Sequence, residues 1–263
     1  MPRFFVAVDD VEDSAIRIVG ADAQHIARVL RMKPGERLTA CDERGVEYET
    51  EIVRVGAEVE LRILSSKPSE NEPPYEAVVY QALAKGDRFD TVLMKATELG
   101  ASAIVPVVSA RCTVRLTEAE IPRKLERWRR IVAEAAKQCG RGRIPEVREP
   151  MALRDAVRQA AGADLALFCY EEERETTLAD LFGERETIHT ASVLIGPEGG
   201  FEPSEAAEAA SAGMRATGLG RRILRTETAA PFVLACLSCQ YELGTAVPRI
   251  LKGECSDPGR SGM

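Results

Sequence analysis

The sequence predicts an α/β protein: a parallel β-sheet with helices on both faces, preceded by a smaller β-rich domain. Three observations carry that expectation. Residues 1–70 contain short alternating runs broken by turn residues, as in "ERLTACDERGVEYETEIVRVGAEVELRIL", the rhythm of an antiparallel meander or small barrel. A stretch rich in Pro, Ser and Glu, "SSKPSENEPPYE" (65–76), interrupts that rhythm and marks a linker. Beyond it, continuous apolar runs alternate with amphipathic segments, the pattern of doubly buried strands joined by helices.

In the first part, the breaks at Glu43-Arg44-Gly45 and Val55-Gly56 divide three strands. One helix is expected at "AQHIARVLRM", with Ile26, Val29 and Leu30 on one face and His25, Arg28 and Arg31 at steps of three near another. His25 reads as a surface or satisfied histidine, its functional alternative being contact with whatever the adjacent Arg28 and Arg31 bind.

In the second part, "AVVYQAL" reads as a buried strand. "DRFDTVLMKATELG" places Phe89, Val92, Leu93, Ala96 and Leu99 at helical spacing, with Asp87 as N-cap and Gly100 as the stop. "SAIVPVVS" is again a strand, "KLERWRRIVAEAAKQCG" a helix, and "LALFCY" and "SVLIG" are strands. "ETAAPFVLACLSCQYEL" is a strongly apolar helix whose Pro231 lies in the first turn or kinks it. The boundaries expected are 1–70, 71–245 and a polar, disordered tail at 246–263.

The chain has 263 residues, 45% hydrophobic, and a net charge of −7. No apolar run is long enough to span a bilayer and the first residues lack the length of a signal peptide, so a cytoplasmic protein is expected. Seven cysteines, an odd number, read as buried thiols in a reducing compartment. The pair in "CLSC" (Cys236, Cys239) has no second pair and no nearby His, so it too reads as buried thiol.

The acidic total hides a basic island. Residues 111–143 carry ten Lys/Arg against four Glu, a net +6, leaving −13 for the remaining residues. Such an island is either a phosphate-backbone footprint or a solvated helix face with paired charges. Its continuation into the glycine-rich loop "CGRGR" favours the footprint. Trp128, inside the island, is expected to be core.

The chemistry concentrates in two glycine bends. "LIGPEGGFEPSE" (194–205) is an apolar strand that stops in a tight turn before a helix start. The turn has no lysine, and Glu198 and Glu202 would repel an anion, so it is no phosphate loop; the G-x-G-x-x-G dinucleotide pattern is also absent. Backbone amides beside one carboxylate suit a flat, cationic, phosphate-free ligand such as S-adenosylmethionine, although a simple capped turn gives the same residues. "GLGRRILRTETAA" (218–230) is a second glycine turn that can wall the same pocket.

Together, LIGPEGG and LGRRILRTETA resemble the C-terminal signature of the RsmE-type ribosomal RNA methyltransferases of the SPOUT superfamily. The likeness extends to "PRFFV", "HIARVLRMKPGE", "KGDRFDTVLMKATELGASAIVPVVSARCTVR" and "KLERWRRIVAEAAKQCGRGRIPEV", and runs to about residue 245. It implies a PUA-like RNA-binding domain, a knotted (trefoil) methyltransferase domain, a homodimer, and methyl transfer from S-adenosylmethionine to N3 of a uridine in 16S ribosomal RNA of the small subunit. The competing readings are a non-catalytic ribosomal-RNA-binding factor and a SPOUT methyltransferase acting on another RNA.

Uridine N3 is a poor nucleophile until its proton leaves, so a base or a stabiliser of the uridinate is needed. Arg225 is the candidate stabiliser. Glu198 either faces the cofactor's cation or accepts the proton. The expected cofactor pocket comprises Leu194, Ile195, Gly196, Pro197, Glu198, Gly199 and Gly200 from the first bend. Leu219, Gly220, Ile223, Leu224, Arg225, Thr226, Thr228 and Ala229 supply the second, with apolar side chains covering the adenine. RNA contacts are expected at Arg111, Arg115, Gln138, Arg141 and Arg143, and at Arg3, Arg28 and Arg31 in the first domain. No metal is required, and the two histidines, His25 and His189, are too far apart for a histidine-rich site.

Overall fold

The computed structural model describes residues 1–243; the expected tail at 246–263 and Cys255 lie outside the described residues. The first part contains β1 (Arg3–Val6), β2 (Ala15–Ile18), α1 (Gly20–Gln24), β3 (Arg37–Asp42), β4 (Val46–Val55) and β5 (Val59–Pro68). The strands form one sheet in the order β1-β3-β4-β5-β2, antiparallel except for the β1–β3 pair. Alternation sets the inner face: Leu38 and Ala40, Ile16 and Ile18, Val59 and Leu61 are buried around Phe4 and Ile26. The β3–β4 turn is built by Asp42, whose Oδ1 accepts from the amides of Arg44 and Val46, both at 2.9 Å. Gly45 there adopts φ +80°.

The second part holds β6 (Glu76–Ala82), α2 (Arg88–Glu98), β7 (Ala101–Val108), α3 (Ile121–Cys139), β8 (Glu146–Val147) and β9 (Met151–Ala152). It continues with α4 (Leu153–Ala160), β10 (Leu165–Cys169), α5 (Leu178–Gly183), β11 (Thr190–Ile195), α6 (Pro203–Ser211), β12 (Arg215–Thr217) and α7 (Thr226–Leu237). These strands pair in parallel in the order β12-β10-β11-β6-β7-β8, with β9 also on β7. Helices cover both faces, as the continuous apolar strands require. Val79, Val193 and Ile195 pack with α2, α3, α5 and α7, while Tyr80, Phe168 and Leu194 pack with α4 and α6. Trp128 is core, 4.7 Å from the Phe89 ring. The connection after β6 runs toward β7 and the one after β11 runs toward β12. The crevice at the C-terminal ends of these adjacent strands is therefore the topological switch point.

Five local expectations need correction. The helix at 23–32 is not regular: α1 passes into a π-helical turn over His25–Val29. The wider turn breaks the 3.6-residue register, so Ile26 is buried while Val29 and Leu30 face outward. The linker is shorter than its composition suggests, because β5 continues through Pro68 beside β4. Asp87 occupies the N-cap of α2 but makes no side-chain capping bond. Pro231 is the sixth residue of α7, past its first turn, and the helix continues to Leu237. Finally, of the six described cysteines Cys41 and Cys112 are buried, Cys169 and Cys236 are half-buried, and Cys139, the last residue of α3, and Cys239, in the π turn after α7, are exposed.

Candidate functional site

At the end of β11 the chain turns sharply, with the Gly200 amide donating to the Pro197 carbonyl at 2.9 Å. Gly200 has φ +67°, and a Cβ there would lie 2.0 Å from Oε1 of Glu171. Only glycine meets both conditions without displacing that side chain. The turn feeds α6 through a reciprocal cap: Glu202 is the N-cap, and the Glu205 carboxylate accepts from the Glu202 amide at 2.9 Å. The second bend leaves β12 at Gly218, whose amide donates to the Thr176 carbonyl at 3.1 Å. A Cβ at Gly218 would sit 2.4 Å from the Glu173 carbonyl oxygen. Arg225 is the N-cap of α7, its carbonyl accepting from the amides of Thr228 and Ala229.

The two bends meet. Thr226, first residue of α7, donates its hydroxyl to the Gly196 carbonyl at 2.7 Å and accepts from Nε2 of buried Gln81 at 2.8 Å. Gln81 sits near the end of β6, so one hydroxyl joins both bends to the central strand. The other amide atom, Gln81 Oε1, is buried without a hydrogen-bond partner among the described residues. The β6–α2 loop closes the third side: the Lys85 amide donates to Glu198 Oε1 at 3.1 Å, and Arg88 Nη1 donates to the same oxygen. Arg88 Nε also lies 3.7 Å from Glu227 Oε1, so one guanidinium spans a carboxylate from each bend.

Partial burial works to raise the Glu198 pKa, but it is outweighed. Its own amide, the Lys85 amide and the Arg88 guanidinium together hold the carboxyl below the usual range. A carboxyl depressed in the folded state stabilises the fold above its unfolded value of about 4.3, and that contribution disappears as pH falls through the folded value. The difference in melting temperature between wild type and Glu198→Gln should accordingly be constant near neutrality and shrink below about pH 4. A gap that persists unchanged to pH 3, followed by scanning calorimetry, would contradict this assignment.

Of the residues expected at the cofactor, Leu194, Ile195, Pro197, Gly200, Thr226 and Ala229 are buried. Glu198, Gly199, Gly220, Arg225 and Thr228 are exposed, and Gly196, Leu219 and Leu224 are half-buried. Ile223 departs from expectation: it is 87% exposed and covers nothing among the described residues, since the loop turns its side chain outward ahead of the Arg225 N-cap. The arginines divide as well. Arg111 reaches the first bend, donating to the Gly199 carbonyl at 2.9 Å, and Arg115 donates to the carbonyls of Ser109 and Ala110. Gln138, Arg143, Arg28 and Arg31 are exposed.

Arg141 and Arg3 are corrections to the expected phosphate contacts. Arg141 is buried and fully committed: Nε and Nη2 donate to the Glu72 carboxylate, and Nη1 donates to the carbonyls of Thr97 and Ala101. Arg3 donates to Glu47 at 2.9 Å and to the Arg141 carbonyl at 3.1 Å. Both guanidiniums satisfy internal acceptors and have little freedom to meet a phosphate. Sequence reasoning missed Gln81, Lys85, Arg88 and Glu227. The available signal was a glutamine near the end of an otherwise apolar strand, followed by "ALAKGDR".

The donor set fits a cationic nucleoside better than a phosphate. Carboxylates of Glu198 and Glu171 border the glycine turn, backbone atoms line it, and a buried amide oxygen remains available at its base. Comparisons with known proteins agree with that chemistry. A family profile described as an RNA methyltransferase domain matches residues 71–238, and one described as an RNA methyltransferase PUA domain matches residues 18–64. Ribosomal RNA small subunit methyltransferase E of Bacillus subtilis is 30% identical over 251 residues, covering 92% of this chain and 98% of that protein. Its counterpart in Mycobacterium bovis is 34% identical over 239 residues, covering 88% and 89%. Among solved structures, a ribosomal RNA small subunit methyltransferase E from Neisseria gonorrhoeae, bound to S-adenosyl methionine, aligns with a TM-score of 0.82 at 31% identity, covering 92% and 98%. A putative methyltransferase from Legionella pneumophila in complex with the bound cofactor SAM aligns at 0.81 and 33% identity, covering 90% and 96%.

Proposed function

The chain belongs to the ribosomal RNA small subunit methyltransferase E family, and from that premise we propose that it methylates N3 of a uridine in 16S ribosomal RNA, using S-adenosylmethionine. The observation that carries the proposal is the Thr226 hydroxyl, which ties the two glycine bends into one cleft at the switch point of the sheet. S-adenosylmethionine supplies an electrophilic methyl group on a sulfonium. Everything else is asked of the chain. Backbone of 194–200 and 219–229 holds the adenosine, and Gln81 Oε1 offers an acceptor from beneath. Glu198, kept ionised by Arg88 and the Lys85 amide, is suited to facing a cation and poorly suited to taking a proton. Arg225 is 80% exposed at the mouth, where its guanidinium stabilises negative charge on the uracil oxygens as N3 loses its proton. Positioning the donor and N3 supplies much of the remaining acceleration.

Residues 1–70 are assigned to RNA binding and 71–245 to catalysis, with Arg28, Arg31, Arg111, Arg115, Gln138 and Arg143 as the RNA-facing set. A homodimer is part of the same proposal. On α7 and the π turn that follows it, Thr228, Phe232, Ala235, Cys239 and Leu243 form an exposed stripe at helical spacing. Phe232 is 39% exposed, and Ile223 and Met94 are further exposed apolar side chains of α7's approach and of α2, the helix it packs against. Phe232→Glu should convert a dimer to a monomer in light scattering and abolish activity at the same concentration. A monomeric wild type, or a dimer untouched by the substitution, would remove this stripe from the interface.

The reaction is tested by digesting 16S ribosomal RNA from cells lacking the protein and measuring N3-methyluridine by mass spectrometry. Its disappearance, and its return when purified protein and S-adenosylmethionine are added to that RNA or its subunit, is the expected result. Unchanged N3-methyluridine would overturn the proposal.

A further inference from the structure

Between the N-terminal sheet and α3 lies a groove of about 230 Å³. Arg3, Phe4, His25 and Leu30 line one wall, and Glu134, Lys137 and Gln138 of α3 line the other. It is smaller than the roughly 300–1,000 Å³ of small-molecule pockets, a size that suits one ring system. Its walls are held in place. Lys137 pairs with Asp22 at 2.7 Å and lies 5.6 Å over the Phe4 ring, which His25 meets in an edge contact with centroids 6.1 Å apart. Behind them, the Arg3–Glu47 pair and the Arg3 bond to the Arg141 carbonyl join the sheet to the end of α3.

Two uncommon backbone features coincide at the rim. The π-helical turn covers His25–Val29, and Arg31 follows with φ +53°, the one non-glycine residue with positive φ among the described residues. Such conformations cost energy and are concentrated where a chain must present something. What they present here is exposed His25 and Leu30 beside exposed Arg28 and Arg31. Charges deeper in the groove are neutralised, Lys137 by Asp22 and Glu134 and Arg3 by Glu47. Arg28 and Arg31 have no carboxylate partner among the described residues, so the free positive charge stands on the rim.

We infer that this groove takes one unstacked nucleotide of single-stranded RNA. Its base lies against the His25 imidazole and Leu30, its polar edge meets the Gln138 amide, which both donates and accepts, and its flanking phosphates meet Arg28 and Arg31. The inference rests on the RNA-methyltransferase reading and names a part of the substrate away from the cleft where methyl transfer occurs.

The test uses the full chain and a single-stranded oligoribonucleotide carrying 4-thiouridine. Irradiation should cross-link it to peptides containing 25–31 or 134–138. His25→Ala with Gln138→Ala should weaken oligonucleotide binding about tenfold, in keeping with the loss of one stacked base, while melting temperature and calorimetric affinity for S-adenosylmethionine stay at wild-type values. Arg28→Ala with Arg31→Ala should flatten the salt dependence of binding. If the wild type binds the oligonucleotide but cross-links elsewhere and the His25/Gln138 variant binds normally, the groove is excluded and the proposed function stands. If the wild type binds no RNA at all, both fall.

Discussion

Replacing Arg225 by alanine should lower kcat for methyl transfer by about 10²–10³-fold, the cost of removing one charge-stabilising donor from a transition state, while cofactor affinity stays within a few-fold. The reason lies in how the residue is held. Its backbone caps α7 through its carbonyl, and that role survives truncation of the side chain. Its guanidinium extends from the cleft mouth, 80% exposed, and its one ion pair among the described residues is Nη1 to Glu227 Oε1 at 3.9 Å. A side chain with so few internal partners contributes little to folding, so its deletion isolates its effect on the substrate. Arg225→Lys keeps a charge but loses the planar fork, and should recover only part of the rate. Equal losses in kcat and in cofactor affinity would mean that Arg225 belongs to the cofactor pocket.

The second large effect is on stability. Arg141→Ala should destabilise the protein by about 3–5 kcal/mol, the usual cost of leaving one partner of a buried ion pair alone. At roughly 2–4 °C per kcal/mol this lowers the melting temperature by some 6–20 °C. Four donor atoms depend on the partner carboxylate: Glu72 accepts from Arg141 Nε and Nη2 and from the amides of Gly142 and Arg143. The Thr97 and Ala101 carbonyls would lose their donor at the same time. The neighbouring Arg143 side chain is exposed, and among the described residues its guanidinium donates only to the Arg44 carbonyl, at 3.3 Å. Arg143→Glu should therefore leave the melting temperature within about 1 °C, as surface substitutions do, but raise the KM for RNA and flatten its salt slope. If the two variants melt alike, the distinction between clamp and contact is wrong.

These two arginines, two residues apart in "CGRGR", illustrate what the sequence can convey. Charge and loop composition identify a basic island, but whether an arginine faces solvent depends on a carboxylate 69 residues away. Glu72 sits in the stretch that composition marks as a linker, and nothing local announces its partner. The parallel sheet was legible because strands buried on both faces leave continuous apolar runs such as "SVLIG". The glycine bends were legible because Gly200 and Gly218 occupy positions where a side chain would collide. The irregular helix at 23–32 was not, since a single π turn preserves the composition and alters only the register. Gln81 and Arg88 escaped for a related reason: they join the cleft through contacts made at separations of 145 and 110 residues. The outward turn of Ile223 depends on the path of a loop, which no periodicity encodes.

The central claim is that residues 194–200 and 219–229 form one binding cleft, closed by the Thr226 hydroxyl. A crystal structure of the protein with S-adenosylmethionine tests it most directly. The account predicts electron density for the adenosine between the two bends, with the sulfonium on the side of Glu198 and Arg225. Density for that molecule at another place on the surface, with the bends unchanged and vacant, would contradict it.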